Sequence, residues 1–199
     1  MAVLTNTMLQ GSSAATDDTP YVIEKSLRFA EEDSTRFSYE ASNVKACFIL
    51  SFWIKRCETS DRDDVFSCAD NTGFFFYIDN DGVIKINDSS QQRFGSNKRF
   101  DDTNGWYHVF FEHDKDNLTK LYVNGKLDKS ETNSNVALQN DTWHVGWDGG
   151  SNYLSGLLAD VCVLELPDTH VCAGPGNFGK FNALGDWVPK NLKTLDFTV

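Results

Sequence analysis

A short glycine-rich segment, WDGGSNY at residues 147–153, brings together the side-chain types that bind sugars. Its two aromatic rings offer stacking faces, and its carboxylate, hydroxyl and amide groups offer hydrogen bonds to ligand hydroxyls. The candidate glycan-binding residues are Trp147, Asp148, Ser151, Asn152 and Tyr153. A structural role explains the same residues, with the two aromatic rings capping the core of the domain. Both interpretations stay open at the level of sequence.

Catalysis has no comparable pattern of residues. Hydrolysis of a glycosidic bond requires two carboxyl groups that flank the bond, and a β-strand presents two acids to one face only at even spacing. Asp160 and Glu165 are separated by an odd number of positions, so they fall on opposite faces. His108 lies beside Tyr107, but no serine or cysteine nucleophile motif accompanies it. We therefore predict no catalytic residues and no enzyme activity.

The histidines and acids also lack the spacing of a metal site. The four histidines occur without an H-x-H or H-x-x-x-H motif, so zinc is not expected. Residues 79–82 (DNDG) begin like a calcium-binding loop, but Asp88 stands where that loop requires a glutamate. Two β-rich runs flank this segment, which favours a hairpin turn. The sequence predicts no metal ion and no cofactor.

The charge of the chain excludes two classes of partner. Its 18 Lys and Arg residues against 29 Asp and Glu residues give a formal net charge of −11 in 199 residues. Nucleic-acid binding depends on basic contacts to phosphate, and anionic membrane surfaces attract basic patches. No apolar run approaches the 18 residues of a membrane span. We therefore expect neither nucleic acid nor membrane as a partner.

The elements that would position these residues are β-strands. Residues 46–55 (ACFILSFWIK) form the most apolar run and predict a central strand. An Asp-Gly turn joins residues 73–78 to 83–87, and an Asn-Gly turn joins residues 120–123 to 126–128. These are strong signals for β-hairpins. Short strands at this spacing, without a capped helical period, predict an all-β protein with an antiparallel β-sandwich.

Three segments divide the chain. Residues 1–20 are rich in Ser, Thr, Ala and Gly and contain no Lys or Arg, which predicts an extended N-terminal arm. Residues 21–166 contain the strand pattern and form the predicted domain. Residues 167–199 have the composition of a loop but carry large aromatic side chains, so we predict an irregular C-terminal tail packed on the domain.

The order of three motifs resembles the concanavalin A-like, laminin-G-like jelly-roll family. In that family a Trp-Tyr-His-Val strand precedes a Leu-Tyr-Val-Asn-Gly hairpin, and a glycine-rich segment then leads into a closing strand. The matching segments here are residues 106–109, 121–125 and 156–161. The resemblance implies a jelly-roll sandwich. Glycoside hydrolases of this fold carry a Glu-x-Asp-x-Glu motif, which residues 112–114 (EHD) do not complete.

Further motifs resemble laminin-G-like structural proteins of tailed bacteriophages. Such proteins have a Thr/Asn/Gly/Ser-rich leader, a segment like residues 26–29 (SLRF), and a Phe-Gly stretch before a Trp-Val-Pro-Lys motif. Residues 178–179 and 187–190 match the last two features. The resemblance implies a non-enzymatic virion structural protein on the particle surface, made in the host bacterial cytoplasm, and most directly a capsid decoration or head-appendage protein.

Two alternatives to that placement remain. One is a protein of the tail or tail fibre, and the other is a lectin-like adhesion module that binds glycans. The partners implied are other virion proteins, of capsid or tail, bound through the N-terminal arm, and host surface glycan. Virion appendages are commonly symmetric, so a homotrimer is compatible with this hypothesis.

Overall fold

The computed structural model describes residues 21–41, 46–68, 73–88, 91–132, 136–138 and 141–192. The predicted arm, residues 1–20, and residues 193–199 of the predicted tail lie outside this part of the chain. None of the described segments forms a helix of the length and apolarity that a membrane crossing requires. The described strands are, in chain order, β1 (Leu27–Phe29), β2 (Phe37–Glu40), β3 (Phe48–Arg56), β4 (Asp63–Cys68), β5 (Phe74–Ile78), β6 (Val83–Asp88), β7 (Gln91–Arg99), β8 (Tyr107–His113), β9 (Leu118–Val123), β10 (Lys126–Thr132), β11 (Thr142–Val145), β12 (Gly156–Glu165), β13 (Gly179–Phe181) and β14 (Trp187–Pro189).

Two antiparallel sheets form a sandwich, which confirms the predicted fold class. Among the described strands, sheet 1 has the order β1-β12-β3-β8-β9-β10, and sheet 2 has the order β2-β11-β4-β5-β6-β7. Strands β13 and β14 pair separately as a small hairpin. Neighbours in both sheets are often distant in sequence, because the chain crosses between the layers.

Both predicted hairpins are present. Strands β5 and β6 pair across the turn at residues 79–82, where Gly82 has a φ of +77°. Strands β9 and β10 pair across Asn124 and Gly125, which have φ values of 49° and 73°. Positive φ at both central residues is the requirement of a type I′ turn, and it explains why asparagine and glycine occupy these positions.

Strand β3 is buried on both faces, which accounts for its continuous apolar sequence. Phe48, Leu50, Phe52 and Ile54 point between the two sheets and belong to the main core cluster. The alternate side chains point away from sheet 2. Ile49 belongs to a second apolar cluster on this outer face, together with Cys47, Phe110, Cys162, Leu164, Leu166 and Phe178.

Strand β7 is one that the sequence pattern does not predict. It is a polar edge strand of sheet 2, and only its centre is buried, at Phe94, Gly95 and Ser96. Its pairing with β6 shifts register in two places. Because each shift resets the alternation of side chains, the strand has no regular period of two for sequence analysis to detect.

The C-terminal tail covers the outer face of sheet 1. Phe178 is 4% exposed and packs on Phe110 with ring centroids 5.1 Å apart. Burial of a phenylalanine side chain contributes about 1.5–3 kcal/mol to stability. The tail also contains the β13–β14 hairpin, whereas the sequence predicted irregular chain. Strands of three residues are too short to produce a recognisable alternation.

A buried carboxylate fastens the tail to sheet 1. Glu112 is fully buried in β8 and lies 2.7 Å from Nε2 of His170. It also accepts hydrogen bonds of 2.9 Å from the backbone N–H groups of Ala173 and Gly174. A buried carboxylate needs several such donors to offset its desolvation. Glu112 thereby fixes the path of the chain between β12 and β13.

Candidate functional site

The predicted glycan-binding residues all lie in one loop between β11 and β12. Trp147 and Tyr153 form an isolated β-bridge, and their rings stack with centroids 6.0 Å apart. The guanidinium carbon of Arg36 lies 4.4 Å from the centre of the Trp147 ring, and His144 makes an edge contact at 4.7 Å. The indole N–H donates to the carbonyl of Gly150 over 3.0 Å. The ring therefore has packing partners within the protein on several sides.

Asp148 organises this loop from within. It is 6% exposed and accepts hydrogen bonds from the backbone N–H groups of Gly150 and Asn152, at 2.7 and 3.1 Å. The side-chain amide of Asn152 donates to its other oxygen over 2.5 Å. Ser151 is exposed at the tip. The loop is thus held by its own polar groups, and its binding of a ligand stays a prediction.

The outer face of sheet 1 carries an open groove that the sequence did not reveal. The groove has a volume of about 430 Å³. Four aromatic side chains define what we call the aromatic groove: Trp53, Trp106, Phe181 and Trp187. Trp106 is 37% exposed and Phe181 is 47% exposed, so both rings are accessible to a ligand. Volumes of 300–1,000 Å³ with apolar walls and a few polar groups are typical of small-molecule sites.

A chain of hydrogen bonds fixes the position of Trp187. Its indole N–H donates to Nδ1 of His108 over 3.0 Å, and Nε2 of His108 lies 3.0 Å from the hydroxyl of Ser51. Because an indole N–H can only donate, Nδ1 must be the acceptor, and Nε2 must carry the proton that it donates to Ser51. Burial lowers the pKa of His108 to about 3, so the ring is neutral.

Two glycines make room for the Trp187 ring. A Cβ atom added at Gly125, in the β9–β10 turn, would overlap the indole. The same is true of Gly179 at the start of β13. The ring therefore fits into a slot between two stretches of backbone, and it also contacts Phe181 with centroids 5.0 Å apart. Trp187 is a rigid wall of the groove.

The polar groups of the groove come from the β7 and β10 strands and from the tail. They are Lys98, Lys126, Asp128, Asp186 and Asn124 of the β9–β10 turn. Asp128 accepts the backbone N–H groups of Asn97 and Lys98 at 2.7 and 2.9 Å. Both of its carboxylate oxygens are therefore engaged in joining the edge strands of the two sheets. The other polar residues that line the groove, Lys98, Lys126, Asn124 and Asp186, are the candidates for hydrogen bonds to a ligand.

Sequence reasoning missed the groove because its tryptophans are far apart in the chain. Trp53 and His108 become neighbours through the register of β3 on β8. Trp187 arrives only when the tail docks on this face. One signal was available: alternation along β3 places Trp53 on the face opposite Phe52, outside the core. Among the described residues, no group of three or more His, Cys, Asp or Glu side chains is arranged to hold a metal ion.

A family model matches most of the sequence. It is described as the concanavalin A-like lectin/glucanases superfamily and matches residues 30–167, a range that ends at the first residue of the predicted tail. The match supports the resemblance inferred from the order of the strand motifs. No curated protein matches the chain.

Solved structures share the fold at low sequence identity. A heptameric pentraxin of Limulus polyphemus is 20% identical, with a TM-score of 0.52 over 69% of this chain and 70% of that chain. A Bacteroides ovatus protein named for carbohydrate binding is 16% identical, with a TM-score of 0.58 over 74% of this chain and 44% of that one. Domain 4 of the Geobacillus stearothermophilus arabinanase AbnA, solved with arabinotriose, is 19% identical, with a TM-score of 0.51 over 61% of each chain. The chain thus spans less than half of the Bacteroides protein, and these similarities concern the fold alone.

Proposed function

The chain belongs to the concanavalin A-like lectin/glucanases superfamily, and from this membership we propose that it is a non-enzymatic domain that binds glycan in the aromatic groove. One observation carries the proposal: three tryptophans converge on an open cavity of about 430 Å³, and one of them is held rigidly by a buried histidine. The carbohydrate-binding Bacteroides protein and the arabinotriose-bound AbnA domain have the same fold and agree with this proposal.

The groove suits a sugar ring for physical reasons. One face of a pyranose exposes C–H groups, which pack on the flat face of an indole, while its hydroxyls need hydrogen-bonding partners at the edges. Trp106 and Trp187 supply aromatic walls, and Asn124 and the charged groups at the rim supply donors and acceptors. A ring that is already fixed loses little conformational entropy when a ligand binds, which favours affinity.

The acids of the groove support binding without hydrolysis. Glycosidases need one carboxyl group as acid and a second as base or nucleophile. Two acids line the groove, and the carboxylate of Asp128 is engaged by backbone N–H groups of Asn97 and Lys98. This leaves Asp186 as the single available carboxylate among the described lining residues. We propose that the domain holds a glycan and does not cleave it.

A glycan array followed by calorimetry tests this function. Trp106→Ala removes an accessible aromatic wall of the groove. Because Trp106 is partly exposed and precedes strand β8, we expect the fold to persist. We expect its affinity for the array hits to fall about tenfold or more, the effect of about 1.4 kcal/mol of lost stacking. Trp147→Ala serves as the matched control in the other candidate loop. Loss of binding in Trp147→Ala and retention in Trp106→Ala would move the site to residues 147–153.

We also propose that this glycan-binding domain is displayed on the surface of a tailed-phage particle, either as a capsid decoration or as part of the tail. The support is the resemblance of the leader and of the Trp-Val-Pro-Lys segment to such proteins. Deletion of residues 1–20 should abolish incorporation into particles while leaving the glycan-binding domain folded. Normal incorporation of the deletion variant would refute this placement.

The copy number distinguishes the two placements: hundreds of copies per particle would favour the capsid, and about a dozen or fewer would favour the tail. The mass of the purified protein in solution tests whether it forms a homotrimer.

A further inference from the structure

Two lysines of the aromatic groove, Lys98 and Lys126, have no carboxylate partner among the described residues, whereas three other lysines of this acidic protein do. Lys85 lies 3.0 Å from Asp81, Lys115 lies 2.7 Å from Asp116, and Lys129 lies 2.7 Å from Glu131. Within the described part of the chain, neither Lys98 nor Lys126 has a carboxylate within 4.0 Å. Both residues line the groove, Lys98 from β7 and Lys126 from β10.

The acid on the same side of the groove as these lysines is already engaged in hydrogen bonds. Asp128 belongs to the same strand as Lys126, but its two oxygens accept the backbone N–H groups of Asn97 and Lys98. The carbonyl of Asp128 also accepts the side-chain amide of Asn97 over 2.6 Å. These bonds hold the backbone of Lys98 against β10, so that both lysines reach the same cavity.

The opposite wall of the groove carries the remaining negative charge. Asp186 precedes Trp187 in the tail hairpin, and among the described residues its carboxylate has one weak contact, with the side-chain amide of Asn182 at 3.4 Å. The sheet side of the groove therefore carries two cationic side chains beside the hydrogen-bonded carboxylate of Asp128, and the tail side carries one anionic side chain.

We propose that the aromatic groove selects glycans that carry an anionic group, either a carboxylate or a sulfate ester, and places that group between Lys98 and Lys126. The inference rests on the proposed glycan-binding function and names its ligand class. Stacking on the tryptophans accepts neutral and anionic sugars alike, so the preference comes from the two lysines. The net charge of −11 repels anions at long range, so a preference for them requires this local attraction.

Calorimetry with matched oligosaccharides tests the ligand class. The probes are an oligogalacturonate and its methyl ester, and a sulfated galactan oligomer and its desulfated form. We expect the anionic member of at least one pair to bind about three- to tenfold more tightly, as two exposed charge contacts allow. The two pairs distinguish a carboxylate from a sulfate ester. Equal affinity within both pairs, or tighter binding of the neutral members, overturns the inference.

Charge variants test whether the two lysines cause the preference for an anionic glycan. The double variant Lys98→Met and Lys126→Met should reduce the ratio of anionic to neutral affinity to less than about twofold. Asp186→Asn removes the opposing charge and should strengthen anionic binding. Lys129→Met is the matched control, since Lys129 belongs to the same strand but pairs with Glu131 outside the groove. A loss of preference in Lys129→Met equal to that of the double variant contradicts the inference.

The test separates failure of this inference from failure of the proposed function. If neutral glycans bind in a way that depends on Trp106, and an anionic group does not increase their affinity, the glycan-binding function is supported and the preference for anionic glycans is refuted. Absence of binding to every neutral and anionic probe at millimolar concentration overturns both.

Discussion

The indole N–H of Trp187 donates a hydrogen bond to Nδ1 of His108 over 3.0 Å, and this contact joins the tail hairpin to the outer face of sheet 1. His108 is 1% exposed and stacks at an angle on Trp53, with ring centroids 5.0 Å apart. The two tryptophans are therefore held by the same imidazole, one through packing and one through a hydrogen bond. A groove built in this way depends on the tail as much as on the sandwich.

Enlarging Gly179 should push Trp187 out of its slot. The Cβ of a Gly179→Ala variant would overlap the indole ring, and overpacking of this kind costs about 1–3 kcal/mol. We expect a lower melting temperature and a loss of glycan affinity similar to that of a Trp187→Ala variant. Gly176→Ala is the control, because its Cβ would meet no atom within 4 Å. Unchanged binding by Gly179→Ala would show that the ring position does not matter.

Removal of the Glu112 carboxylate should release the tail. Glu112→Ala removes the acceptor of the backbone N–H groups of Ala173 and Gly174 and the partner of His170. Loss of the acceptor of a hydrogen-bonded donor costs about 1–3 kcal/mol. We expect rapid proteolysis within residues 167–178 and loss of glycan binding, because the tail carries Trp187. Asp116→Asn, at an exposed ion pair, is the control, and a protease-resistant tail in Glu112→Ala would contradict this role.

The strands could be predicted from sequence because their signals are local. Alternation in β3 and the Asn124-Gly125 turn depend on a few adjacent residues, and the structure confirms both. The groove could not be predicted, since it requires the register of β3 on β8 and the docking of a tail that is more than 70 residues from His108. Local patterns carry no information about such long-range contacts.

The predicted loop shows a different limit of sequence analysis. Composition predicted a binding site at residues 147–153, and the structure shows that these aromatic and polar groups contact one another. Whether such groups face a ligand or one another depends on which backbone N–H groups the loop aims at Asp148. That geometry depends on the backbone conformation of Gly149, Gly150 and Ser151, and the presence of these residue types does not by itself specify one conformation.

Asp148 should stabilise the loop rather than bind glycan. Asp148→Ala removes the acceptor of two backbone N–H groups and of the Asn152 amide, a loss of about 1–3 kcal/mol. We expect lower stability in chemical denaturation and glycan affinity within about twofold of the wild type, because the groove lies on the other sheet. An Asp148→Ala variant that stays fully stable but loses affinity would assign the binding site to this loop.

Protonation of a second buried histidine should make stability fall in acid. His113 is 1% exposed, its Nδ1 lies 2.7 Å from the Thr119 hydroxyl, and its Nε2 has no hydrogen-bond partner among the described residues. Burial lowers its pKa from 6.5 to about 4. Since the unfolded chain binds this proton first, the stability contributed by the neutral ring is complete above pH 6.5 and is lost as the pH falls towards about 4.

The variant His113→Asn isolates this effect, because an amide can bond Thr119 but does not titrate. The difference in unfolding free energy between wild type and variant should shrink as the pH falls from 6.5 to about 4, by at most about 1.4 kcal/mol per pH unit. Denaturant titrations at several pH values measure it. Thr119→Val is the control, since it removes the hydrogen bond but keeps the titrating ring, so its curve should keep the pH dependence of the wild type. Parallel curves for His113→Asn and the wild type would mean that His113 is protonated equally in the folded and unfolded states.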